Sequence, residues 1–159
     1  MQNVELIKQY KKLVQLIDDT DTSTDGDLEL QGHWGKYLCV LASGFLENAI
    51  SAVYSDFVSQ AASAHVIQYT QKNLDKIQNP KSDKFIAVAS QFKKSWGTEL
   101  KNHFDEHPEN KQAIDSIITN RHLVAHGKTT SISVHRVRDY LEKSVKIIEF
   151  IEGQCANQI

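Results

Sequence analysis

Between Asn120 and Gly127 the chain reads NRHLVAHG, which sets an arginine, two histidines, an asparagine and a glycine within eight positions. Histidine titrates near neutrality, so His126 could move a proton at cellular pH. Arginine stays charged and grips a phosphate through paired hydrogen bonds. A base beside a phosphate clamp is the minimum kit for cleaving RNA through its own 2′-hydroxyl. His126 would deprotonate the 2′-OH, and Arg121 would steady the charge that builds up on the phosphorane-like transition state. That chemistry needs no metal and no cofactor. Lys128, His135, Arg136 and Arg138 follow within a dozen residues. They form a candidate rail for RNA backbone phosphates.

Two other readings fit the same residues. His122 and His126 are four apart and share a helix face, the spacing of zinc-binding HxxxH pairs. Leu123 stands where such sites place their glutamate base, and no third ligand is evident. The plainer reading is a helix C-terminus at which cationic side chains complement the dipole. Arg121 and His126 are five apart, roughly 140° around an ideal helix and ~7.5 Å along it. They converge on one ligand only if it spans the helix end or if the last turn unwinds at Gly127.

The elements that must position this set are helical. Glycine (7) and proline (2) are scarce in 159 residues, so few turns are marked. Residues 2–17 carry an apolar stripe at helical spacing. The acidic stretch from Asp18 to Gly32 reads as a loop, because Asp, Thr, Ser and Gly compete for local backbone bonds. From about His33 to Ala62 runs the most apolar helix, with Glu47 close to its buried stripe. Residues 63–78 read as a further helix, separate from it or continuous with it, ended by Asn79-Pro80. Ser82 is placed to cap the next helix. Trp96-Gly97 reads as an interruption before a short helix. Pro108 suits the first turn of the helix that ends in the motif, and Gly127 its stop. Residues 128–132 form a loop, Ser131 or Ser133 caps the last helix, and no strand pattern occurs. The fold class is all-α, a helical bundle in one domain over 1–159.

Composition is that of an ordinary globular chain, 40% hydrophobic and 24% charged. Six acidic residues between Asp18 and Glu29 have no basic neighbour there, so the rest of a chain with net charge −2 carries a small positive excess. The same acidic loop resembles a calcium loop at Asp21, Ser23, Asp25 and Gly26 but has Gly32 where the bidentate glutamate belongs. Cys39 and Cys155 form no metal pattern and read as free thiols in a reducing compartment. No run reaches the ~18 apolar residues of a membrane span and no leader pattern occurs, so a cytoplasmic location without membrane contact is expected. His103 and His107 repeat the HxxxH spacing and read as a solvated helix end. Phe92, Trp96 and Lys93-Lys94 suggest a patch for stacking bases, with core packing the commoner fate of such rings.

Arg121-His122-x-x-x-His126 resembles the signature of the HEPN family: an arginine, a polar residue, a variable spacer and a histidine. The helix KYLCVLASGFLENAISAVY resembles the corresponding helix of the RiboL-PSP type of HEPN domain. The resemblance covers about residues 30–153. It implies an all-α bundle, a homodimer whose two motifs meet across a cleft, and in many members metal-independent endoribonuclease activity. It also implies toxin–antitoxin or phage-defence settings, with an antitoxin or defence-system protein as partner. Arg121 and His126 carry over as catalytic candidates, and His122 as the polar neighbour, where Asn or Asp is more usual. Non-catalytic members exist, so a module that binds a protein partner or nucleic acid is the alternative. Glu47 and Asn120 are supporting candidates, Glu47 as a partner that orients Arg121.

Overall fold

The computed structural model describes residues 1–157. Among them seven helices follow one another: α1 (Val4–Ser23), α2 (Leu28–Ala61), α3 (Ala64–Leu74), α4 (Ser82–Phe92), α5 (Lys94–Glu106), α6 (Pro108–Ala125) and α7 (Val134–Ala156). Among the described residues there is no strand. The fold is all-α.

The long helix α2 forms the axis, with α1, α3, α6 and α7 packed around it. Leu38, Ala42, Leu46, Ala49 and Ile50 are fully buried along it and meet Ile114 and Ile117 of α6 and Ile147 and Ile148 of α7 in one core. Each leucine or isoleucine among them contributes about 1.5–3 kcal/mol on burial. By length and composition α2 would pass for a membrane-crossing helix, yet 56% of its apolar window is buried inside the bundle. That is how the core helix of a helical bundle looks, and it corrects the expectation that no stretch is apolar enough.

The acidic stretch is not a loop. Helix α1 continues through it to Ser23, and only a short turn with Gly26 at φ +81° separates it from α2. The hydroxyls expected to break the helix instead donate to carbonyls one turn back: Thr20 to Leu16 (2.7 Å), Ser23 to Asp19 (2.7 Å) and Thr24 to Thr20 (2.7 Å). Thr20 and Thr24 are buried, so packing outweighs their weak helix propensity. With Asp21 and Ser23 on a helix, the calcium-loop likeness has no loop to wrap an ion. Among the described residues no cluster of three or more His, Cys, Asp or Glu is placed to hold a metal.

Three further boundaries differ from the sequence reading. A break at extended Ala62 and Ser63 separates α3 from α2. Helix α5 runs through Trp96-Gly97, because Gly97 lies against Ser90 and the Ile86 carbonyl where a side chain would not fit. Ser82 does not cap α4. It is the first helical residue, and its N–H and hydroxyl donate to Asp115 of α6 at 2.8 and 3.0 Å. A carboxylate from a neighbouring helix thus supplies the acceptor that a local cap would have given.

Candidate functional site at the end of α6

The motif lies where α6 stops. Gly127, at φ +63°, takes the left-handed conformation, its N–H bonding to Val124 (3.1 Å) and that of Lys128 to Leu123 (2.9 Å). This paired closure is a Schellman motif, which glycine permits because it has no Cβ. The helix stays regular through Ala125, and His126 is its C-cap at φ −97°, ψ 14°. The last turn therefore stays wound up to His126 and the helix opens only at Gly127.

The divergence of Arg121 and His126 consequently persists. Arg121 stands one and two turns beyond Ile117 and Ile114, on the face of α6 directed at the core, and is half-buried. His122 and His126 share the opposite face with Gln112, Asp115 and Thr119, and both are exposed. Their rings lie 4.2 Å apart, tilted by 56°. Among the described residues Arg121 has no ion pair and no hydrogen bond from its guanidinium. The structure therefore brings the two histidines together and leaves the arginine apart.

Three contacts fix this helix end. Cys39 of α2 donates to the Ile117 carbonyl at 3.3 Å, and burial pushes its thiol up to about 12. Asn120 donates to Ser116 (2.8 Å) and accepts a short bond from the Thr130 hydroxyl, which ties the loop back to the helix. Gly35 of α2 lets that loop cross it: an added Cβ would overlap the Ile132 carbonyl oxygen. Asn120 thus ties the following loop to the helix end that carries the motif. Cys39, Thr130 and Gly35 were missed. In the sequence Cys39 and Gly35 show only as small residues inside the apolar helix, which does not say what they approach, and Thr130 carries no signal.

A family model described as RiboL-PSP-HEPN matches residues 4–157. The chain belongs to the RiboL-PSP-HEPN family. The match begins at α1, so the HEPN unit takes in the helix that the motif-based likeness over 30–153 left out. No curated relative and no solved structure matches the chain.

The remaining candidates of this HEPN domain divide. Lys128, His135 and Arg136 are exposed, and Ser133 caps α7 by accepting from the Arg136 N–H at 3.2 Å. Arg138 is held in an ion pair with Asp18 of α1, so it is not a free member of the phosphate rail. His135 and Arg138 share a face, whereas Arg136 lies ~100° round from His135 and leans toward the Tyr140 hydroxyl (3.4 Å). Glu47 does not orient Arg121. Its carboxylate accepts from the Asn79 N–H at 2.6 Å, where Asn79 sits at φ 48°. It anchors the turn between α3 and α4. Phe92 stacks on Tyr54 (4.5 Å, 5°) and Trp96 meets Phe57 edge-on (5.2 Å), so both rings serve the core. His103 is half-buried and stacked on Phe150 at 4.2 Å rather than solvated. Cys155 is a free thiol buried in α7.

Proposed function

We propose that this HEPN domain is a metal-independent endoribonuclease that works as a homodimer. The observation that carries the reading is the exposed His126, its ring 4.2 Å from that of His122, at a braced helix end within the Arg121-His122-x-x-x-His126 motif. His126 takes the proton of the 2′-hydroxyl, whose oxygen attacks the adjacent phosphorus. The 5′-oxygen leaves with a proton from a second acid, giving a 2′,3′-cyclic phosphate and a free 5′-hydroxyl. Arg121 neutralises the charge that builds on the phosphoryl oxygens. Within one chain Arg121 and His126 face apart, so a second copy supplies the missing half of each site. Lys128, His135 and Arg136 guide the RNA strand.

A face for that second copy lies on α2. Leu30, Trp34, Tyr37, Leu41 and Gly44 recur at spacings of four and three along one side, with Leu30 and Tyr37 exposed. Gly35 and Cys39, which hold the motif's helix and loop, lie on the same turns. Helices α1 and α2 form a hairpin whose turn carries Asp25, Asp27 and Glu29 and whose other half carries Lys8 and Lys12. An antiparallel pairing would set the acidic turn of one copy against the lysines of the other. The cellular setting that fits such an activity is a toxin–antitoxin or phage-defence system in a reducing cytoplasm, restrained by an antitoxin or defence-system protein.

The test is RNA incubated with the protein in excess EDTA, beside His126→Ala and Arg121→Ala. Cleavage that both substitutions abolish supports the enzyme. Tyr37→Glu with Val40→Glu is expected to give a monomer by light scattering and to lose cleavage with the motif intact. The second reading, a non-catalytic module that binds a protein or nucleic acid, is favoured by the half-buried Arg121. It prevails if a dimeric wild type is as inert as its variants across varied RNAs.

A further inference from the structure

A sizeable cleft lies away from the motif. It opens between α3 and α4, has a volume of about 540 Å³, and falls in the range of small-molecule sites. Gly35, against the motif loop, and Tyr54, against Phe92 at the cleft, are nineteen residues apart on α2. That is about 28 Å along the helix, so the two places are separate. Helix α3 packs on α2 and α4 packs on α5, leaving the facing sides of α3 and α4 as walls. The floor is apolar: Leu74, Ile77 and Val88 are buried and Phe92 is half-buried.

The rim carries different chemistry. Tyr69 is 72% exposed, a large planar ring left in water beside an apolar floor. Asn73 donates to the Tyr69 carbonyl at 2.9 Å and steadies that turn. Lys76 on one wall and Lys84 on the other are exposed, and neither joins an ion pair among the described residues. The nearby Asp75 carboxylate is taken by Gln71 at 2.7 Å. Gln91 adds an exposed amide with both donor and acceptor groups.

We propose that this cleft binds a nucleotide. A planar base would lie on the apolar floor against Tyr69, its edge reaching the Gln91 amide. Its phosphate would sit between Lys76 and Lys84. An apolar floor alone would suit any greasy ligand. The paired cations and exposed ring select a flat, anionic one. The nucleotide is either free or one residue of an RNA strand. The inference does not depend on cleavage at His126.

The experiment is calorimetric titration of the whole chain with UMP, AMP, uridine and inorganic phosphate. The monophosphates are expected to bind, with uridine and phosphate weaker by about tenfold or more. Lys76→Glu with Lys84→Glu, and separately Tyr69→Ala, should each weaken UMP or AMP by about tenfold, while His126→Ala leaves binding unchanged. These are surface substitutions, and unchanged circular dichroism melts confirm that each variant folds. A fully 2′-O-methylated RNA 12-mer, which cannot be cleaved through a 2′-hydroxyl, then competes with the monophosphate. Displacement assigns the site to an RNA strand, and its absence to a free nucleotide; both sustain the nucleotide chemistry. Silence with both monophosphates, phosphate binding as tightly as UMP, or affinity unaltered in the lysine and tyrosine variants overturns the proposal.

Discussion

Replacing Gly35 by alanine sets two effects against each other at a known place. Inside a helix, Gly→Ala stabilises by about 0.5–1 kcal/mol by lowering the entropy of the unfolded chain. At position 35 the new Cβ would overlap the Ile132 carbonyl oxygen and lie 3.0 and 3.1 Å from the backbone carbons of Ser133 and Ile132. Ordinary contact is about 3.5–4.0 Å, so the loop must retreat on the order of 1 Å. Overpacking of this kind costs about 1–3 kcal/mol, and backbone yields less readily than a side-chain tip. The expected balance is a net loss of about 0.5–2 kcal/mol, or roughly 1–8 °C in Tm for a chain of this size. Gly32, less than one turn away in α2, has nothing within 4 Å of an added Cβ. Gly32→Ala should therefore raise Tm. Thermal melts of both variants at one protein concentration are the assay. Gly35→Ala as stable as Gly32→Ala would refute the claim that the 128–133 loop is pressed onto α2. If the loop does retreat, the proposed RNA cleavage should fall with it, since Asn120 and Thr130 tie the same loop to the motif.

Other outcomes follow from single groups. Burial, then neighbouring His107, lowers the pKa of His103, whose Nε2 is buried without a partner. The unfolded chain then binds a proton more readily, so stability is full above the ordinary histidine value near ~6.5 and falls as pH drops through it. Unfolding curves at several pH values should show this slope in the wild type and less of it in His103→Phe; an equal slope would sink the assignment. Cys39 and Cys155, each pushed up to about 12, should resist thiol reagents at neutral pH until the chain unfolds. Rapid labelling of the native protein would contradict their burial. Glu47→Ala should cost about 1–3 kcal/mol by leaving the Asn79 N–H without its acceptor, and should spare RNA cleavage. Loss of cleavage in a folded Glu47→Ala protein would restore it to the motif.

Much of the fold was legible from local pattern alone. Helical periodicity, Pro108 at a first turn, Gly127 past a last one and Ser133 before α7 are chain-local signals, and the structure uses each as read. The motif was legible too, because a run of Arg, His and Gly at a helix end needs no partner to be noticed. What failed were judgements about partners. The acidic stretch became helix because Thr20 and Thr24 found cover and Asp18 found Arg138. Ser82 took its acceptor from Asp115, and Glu47 gave its carboxylate to Asn79 rather than Arg121. Gly97 was a close approach and not a break. Propensity and spacing are properties of neighbours along the chain, so sequence determined the helices, their order and the chemistry available at the end of α6. Which side chains meet depends on how those helices pack. Only the tertiary structure decided that Glu47 turns to Asn79 and not to Arg121, that the loop after α6 is pressed onto Gly35, and that a cleft opens between α3 and α4.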